Sequence, residues 1–320
     1  MDTNQVRRAG AACPHLPAAE WTPPALPAVI PQGDMPGDRI VIGEEHIRKA
    51  NTLFPALLPL LAACENPSGR AVVTVCGGSG VGKSEIASIL AYYLRAEGIG
   101  SYVLSGDNYP RRIPRENDAE RLRVYRVGGL RGLIASGCYD AERSRTLIAL
   151  QKAGCDADSA STARHPWLSI YQHAGAARLG EYLGSSQEQD FDELSGIVAQ
   201  FKQGAQTLWL KRMGRETTDL WYDAVDMRGV DVLLIEWTHG NSDHYTGVDI
   251  PILLNSTPAE TLAHRRARNR DGATDSPFTT LVLQLEQRLL EAQAHKAKLI
   301  LSKSGELLTY AQYRSLMAQQ

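Results

Sequence analysis

Val72-Val73-Thr74-Val75-Cys76 runs directly into Gly77-Gly78-Ser79-Gly80-Val81-Gly82-Lys83-Ser84. The first five residues are apolar or β-branched and read as a strand. The next eight carry the spacing G-x-x-x-x-G-K-[ST], the P-loop. Its glycines let consecutive N–H groups curl toward a phosphate, and a helix starting near Lys83 adds the positive end of its dipole. Ile86, Ile89, Leu90, Tyr93 and Leu94 then recur at helical spacing. A chance match to the motif is the alternative, but strand, loop and amphipathic helix arriving together make it the weaker one. Gly78, Ser79, Gly80, Val81, Gly82, Lys83 and Ser84 are thus expected to hold the phosphates of a nucleoside triphosphate. Lys83 would reach the β/γ-phosphates, and Ser84 would complete a Mg²⁺ shell.

On the N-terminal side, residues 1–38 are rich in Pro and Ala and read as a mobile arm. Residues 39–69 form a helical extension in which Ile47, Ala50, Leu53, Leu57 and Leu60 share a face, with Pro55 and Pro59 expected to kink or divide it. Downstream, Ser101 to Ser105 reads as a second strand, completing a βαβ pattern and predicting an α/β fold with a doubly wound parallel sheet. The 111–230 segment reads as a mostly helical insertion that binds an acceptor, with its clearest helix at 191–203. Val232 to Ile235, Ile250 to Leu254 and Leu299 to Leu301 read as further strands, and 261–270 and 278–294 as helices. The main domain spans 70–320, with a lid at 265–277.

Asp107 closes the second strand, where a doubly wound sheet lines its ligand crevice. A carboxylate there can take the proton of an attacking hydroxyl, or it can merely cap a turn. Glu236 ends the apolar run 232–235 and is expected to orient Mg²⁺ or its water. His239 either lines the same crevice or is a loop histidine held by a carbonyl. Arg265, Arg266, Arg268 and Arg270 cluster at one helix end; Arg266 and Arg270, at i and i+4, are expected to stabilise transferring charge, with Arg265 at the surface. Arg111 and Arg112, near Asp107, suit an anionic acceptor. The competing reading of that basic segment is a solvated helix laced by pairs such as Asp118–Arg121 and Glu120–Arg123. Tyr92, Tyr93, Trp209, Trp221 and Trp237 read as core or pocket-wall aromatics.

The bulk numbers exclude several classes. A hydrophobic fraction of 43% with 22% charged residues fits a globular chain, and a formal net charge of −2 gives no reason to expect nucleic acid or an anionic membrane as partner. No apolar stretch has the length of a membrane span. Five scattered cysteines without a C-x-x-C pair fit a reducing cytoplasm rather than a disulfide framework. No N/T-K-x-D element follows to read guanine.

Several separated pieces resemble the P-loop small-molecule kinases that include uridine kinase and phosphoribulokinase. Gly77 to Ser84 is similar to their G-x-S-G-x-G-K-S loop, and Asp107-Asn108-Tyr109 to their D-[SN]-[FY] element. The 191–204 helix resembles their F-D…L-x-x-G stretch, Glu236-Trp237-Thr238-His239-Gly240 their E-G-x-H-G, and Arg266 to Asp271 their R-x-x-x-R-D lid. The resemblance covers roughly residues 70 to 301, with Trp237 standing where a glycine is usual. It implies ATP and Mg²⁺ as cofactors, Asp107 as catalytic base and Tyr109 beside the acceptor. The expectation is an ATP-dependent kinase that phosphorylates a hydroxyl of a small metabolite, an anionic one favoured, with room for a homodimer. Tyr102 to Asn108 also looks like the L-D-G-D-N stretch of adenylylsulfate kinases. A non-catalytic ATP switch is the alternative of a different class.

Overall fold

The computed structural model describes residues 21–30, 32–268 and 276–319, and of 267 and 268 the backbone only. Helix α1 (Glu44–Ala62) leads into β1 (Ala71–Gly77), α2 (Lys83–Ala96) and β2 (Ser101–Ser105). A helical stretch follows: α3 (Pro114–Ala135), α4 (Ala141–Lys152), α5 (Leu168–Tyr182) and α6 (Phe191–Lys202). Strands β3 (Thr207–Met213) and β4 (Leu220–Asp226) form a separate hairpin. The chain then returns through β5 (Val232–Glu236), β6 (Ile250–Leu254), α7 (Leu262–Arg268), α8 (Pro277–Gln293), β7 (Leu299–Leu301), β8 (Leu307–Leu308) and α9 (Tyr310–Met317).

The main sheet has the order β2-β5-β1-β6-β7-β8. Its first five strands pair in parallel and only β8 runs antiparallel. Strand β1 lies centrally and is buried along its whole length, as an uninterrupted apolar run requires. Register places Val75 opposite Glu236 and Ser105 opposite Glu236, so the carboxyl ends of β1, β2 and β5 finish side by side. That edge is where a doubly wound sheet presents a ligand crevice. The P-loop α/β fold expected from the sequence is the fold observed.

Apolar packing occurs on both faces. One core joins α1, α2 and one sheet face through Leu53, Phe54, Leu57, Ile86, Leu90 and Val73. The other face packs on α6 and the hairpin through Phe191, Phe201, Leu210, Leu233 and Trp237. A third cluster holds α3, α4 and α5 against α8 through Tyr125, Leu133, Leu147, Tyr171 and Leu285. Among the described residues no helix is long and apolar enough to cross a membrane.

Three expectations change. Helix α1 is continuous through Pro55 and Pro59 rather than divided. An internal proline costs about 3 kcal/mol, but Leu53, Phe54 and Leu57 are fully buried with Leu58 and Leu61 beside them. Each such side chain contributes about 1.5–3 kcal/mol, so packing wins. The segment expected to be mostly helical also contains the β3–β4 hairpin, on which Trp209 and Trp221 are exposed rather than in the core or a pocket wall. Part of the stretch expected as a mobile arm lies on the core: Trp21 packs on Phe54 and Tyr93 and donates to Glu97, Ala25 O accepts from the Tyr92 hydroxyl, and Ile30 is buried.

Candidate active site

The P-loop closes β1 and opens α2. Gly82 caps α2 in the left-handed region (φ 95°), and a Cβ there would sit 2.8 Å from the His46 ring of α1. Only glycine meets both demands. The Lys83 ammonium donates to Gly78 O at 3.2 Å, holding the side chain back across the loop. Ser84 Oγ, in the first turn of α2, donates to Glu236 Oε2 at 3.1 Å.

Glu236 is buried at the end of β5 and takes a second hydrogen bond, 2.5 Å, from Ser105 Oγ at the end of β2. Burial, followed by the nearby Asp107 carboxylate, pushes its pKa up to about 8, against the pull of Lys83 and the two hydroxyls. Asp107 lies in the short 3-10 turn Gly106–Asn108 and is exposed, while its neighbours on both sides are buried. A Cβ on Gly106 would fall 2.1 Å from Trp237, so the indole after β5 sets how closely this turn approaches. Two carboxylates, one ammonium and two hydroxyls, drawn from two strand ends and one helix start, thus share a single electrostatic environment at the crevice. Of the sequence candidates, the structure brings Lys83, Ser84, Asp107 and Glu236 together.

The remaining candidates fare differently. The Tyr109 ring is fully buried beneath Lys211 in the second core, which makes it a wall rather than a contact surface. His239 is buried against Gly184 and Trp237, and desolvation lowers its pKa to about 4, so it is neutral. Arg111 donates to Ser186 O and pairs with Asp190 at 3.2 Å. Arg112 donates to the Tyr182 hydroxyl at 3.0 Å and faces Glu120 at 4.0 Å. Arg121 pairs with the fully buried Glu188 at 2.5 Å and with Glu286 at 3.5 Å, Arg123 with Glu120 at 2.6 Å, and Arg126 with Asp156 at 3.0 Å. The Asp118–Arg121 and Glu120–Arg123 pairs of the competing reading are both present.

In the lid region the sequence placed Arg265 at the surface, and the structure corrects this. Its Cγ lies 3.0 Å from the position a Cβ would take on Gly80, and its guanidinium donates to Pro258 O and Thr261 Oγ1. Arg266 is exposed, and Arg270 lies outside the described residues. A shallow pocket beside the loop is lined by Gly78, Ser79, Thr261, Arg265 and Glu286. Sequence reading missed His46 and Glu286 and set Arg265 aside as surface; each reaches the loop from a helix outside the motif.

The donor chemistry fits a hard cation. Ser84 and Glu236 offer hydroxyl and carboxylate oxygens at one point, the set that suits Mg²⁺ completed by phosphate and water. Among the described residues no cluster of three or more His, Cys, Asp or Glu gathers for a metal. The loop amides and the start of α2 form the matching cradle for phosphate.

No protein-family model matches the chain. Over 242 residues, 76% of its length, it is 37% identical to the bifunctional alpha-galactosidase/sucrose kinase AgaSK of Mediterraneibacter gnavus. The chain spans 21% of that relative's length. Similar solved structures include a possible uridine kinase from Bacillus stearothermophilus, with 16% identity, a TM-score of 0.46, and coverage of 80% of this chain and 98% of that one. Another is D-glycerate 3-kinase from Cryptococcus neoformans var. grubii, with 12% identity, a TM-score of 0.45, and coverage of 84% and 99%.

Proposed function

We propose that the chain is an ATP-dependent phosphotransferase acting on a hydroxyl of an uncharged carbohydrate. The observation that carries this reading is the juxtaposition of Asp107 with Glu236 at the strand ends, beside the Lys83–Ser84 start of α2. A phosphate cradle facing a carboxylate that can accept an alcohol proton is the minimum for in-line phosphoryl transfer. Mg²⁺ held by Ser84 and Glu236 would neutralise charge on the phosphates when bound. Asp107 takes the proton of the attacking hydroxyl. Lys83, with Arg266 and Arg270 of the lid, stabilises charge on the transferring group and helps exclude water.

An uncharged acceptor replaces the anionic one favoured by the sequence. Arg111, Arg112, Arg121, Arg123 and Arg126 all lie against carboxylates, and His239 is neutral, so the charge of these five arginines is met within the protein, while Arg115 is exposed. The relative named as a sucrose kinase supports the same direction. The same reading places the chain in the cytoplasm, where thiols stay reduced, and leaves room for a homodimer. The test is ADP release from ATP·Mg²⁺ with sucrose, monosaccharides, polyols and their phosphates, followed by mass spectrometry of the product. Stimulation confined to uncharged sugars supports the proposal. Stimulation by sugar phosphates alone refutes the acceptor class, and ATP hydrolysis that no acceptor stimulates favours a nucleotide-driven switch.

A further inference from the structure

Asp34 lies in the coil before α1, yet its carboxylate is buried between the end of β2 and the β3–β4 hairpin. Oδ1 accepts from the Ser105 N–H at 2.7 Å and from Asn108 Nδ2 at 3.1 Å. Oδ2 accepts from Arg212 Nη1 at 2.9 Å and from the Tyr102 hydroxyl at 3.0 Å. Asn108 Oδ1 in turn accepts the Met213 N–H at 3.0 Å, and Arg212 also donates to Tyr102 and Asp223. Beside it, Gly33 passes Val103 and Glu236, with room for a Cβ 3.9 Å from Glu236 Oε1.

These contacts bracket Asp107. Ser105 precedes it by two positions and Asn108 follows it directly, and both are held by the same carboxylate oxygen. Ser105 also donates its hydroxyl to Glu236, so the coil carrying Asp34, the base-bearing turn and the end of β5 form one connected set. Asp107 itself is exposed while the residues on either side are held by the Asp34 carboxylate. A buried carboxylate that receives four donors has no acceptor capacity to spare, and an amide in its place turns one oxygen into a donor facing donors.

We propose that Asp34 is a positioning residue, which sets the turn carrying Asp107 against Glu236 and couples that turn to the β3–β4 hairpin. This rests on the assignment of Asp107 as the base. A general base must stand within hydrogen-bond reach of the proton it takes, so a displaced turn lowers transfer without touching the phosphate cradle.

The test is a double-mutant cycle with ATP·Mg²⁺ and sucrose, or the sugar that the acceptor panel selects. Asp34→Asn lowers kcat about tenfold or more while ATP affinity, read by calorimetry, stays within about twofold. In the Asp107→Asn background the same change costs less than about twofold, because there is no base left to misplace. An equal loss in both backgrounds, or an unchanged kcat, overturns the proposal. If Asp34→Asn does not fold, Tyr102→Phe removes one donor and almost no bulk. It is read in the same cycle, with a loss of about threefold in the parent and none beside Asp107→Asn; any other pattern overturns the proposal. Asp107→Asn at full speed, or a parent protein that transfers to no sugar, refutes instead the function on which the proposal rests.

Discussion

Ser84 Oγ and Glu236 Oε2 lie 3.1 Å apart across 152 positions of sequence, tying the first turn of α2 to the last residue of β5. The bond brings a P-loop hydroxyl and a buried carboxylate to one point, and register sets it there: Glu236 stands opposite both Val75 and Ser105. Glu236→Gln keeps the shape and both serine neighbours but leaves a group that cannot ionise to meet Mg²⁺. Turnover is expected to fall about 100-fold or more, while the melting temperature of the metal-free protein at pH 7 changes little, since a carboxyl whose pKa is pushed up to about 8 is already mostly neutral there. Steady-state rates and calorimetric melting check both halves. A lowered melting temperature with unchanged rate contradicts this role.

Arg265 and Arg266 are adjacent but sit differently, one packed on the P-loop and one exposed. Arg265→Ala is expected to weaken ATP binding about tenfold by loosening the loop, with kcat affected less. Arg266→Ala is expected to lower kcat about tenfold or more with ATP affinity kept, as charge stabilisation by a lid requires. Titration calorimetry beside kcat measurement separates the two.

His239 links stability to pH. Its pKa is lowered to about 4 from 6.5 by burial, so the unfolded chain takes up a proton that the folded chain refuses between those values. The contribution is present above pH 6.5 and is lost as pH falls toward 4. At full protonation of the unfolded chain it amounts to at most about 3–4 kcal/mol. Urea denaturation of the parent and of His239→Gln at pH 7 and pH 5 checks this: the parent is expected to lose more stability on acidification than the variant.

Trp21 and Trp209 test which tryptophans are structural. Trp21 packs its ring on Phe54 and Tyr93 and donates to Glu97, so Trp21→Ala is expected to cost about 2–4 kcal/mol. Trp209 is 64% exposed on the hairpin, and Trp209→Ala is expected to stay within about 0.5 kcal/mol. Chemical denaturation of the two variants measures the difference.

The parts legible in the sequence are those whose signal is local. Strand β1, the P-loop and α2 follow one another within a single stretch, and the all-apolar run 232–235 marks a central strand and hence the position of Glu236. Asp107 could be placed because it lies two residues past the end of β2. The illegible parts depend on distant partners. Asp34 reaches Ser105 across 71 positions and Arg212 across 178, and nothing in a Pro-rich coil announces a buried carboxylate. The hairpin carried a signal, since buried Leu208 and Leu210 alternate with exposed Thr207 and Trp209, but the alternation is short and sits inside a helical surround. Basic residues after Asp107 looked available to an anion because sequence shows charge without showing the distant carboxylates, Asp156, Glu188 and Asp190, that the fold brings against it.

The central claim is that a carboxylate at the end of β2 accepts the proton of a sugar hydroxyl as a phosphoryl group leaves ATP. Its most direct measurement compares the parent with Asp107→Asn under saturating ATP·Mg²⁺ and sugar, following phosphorylated product by mass spectrometry and ATP binding by calorimetry. The account predicts a sugar phosphate from the parent, at least about a 100-fold slower yield from the variant, and ATP affinity within about twofold in both. Equal product yields from the two proteins, or ATP consumed by the parent with no phosphorylated sugar formed, contradict it.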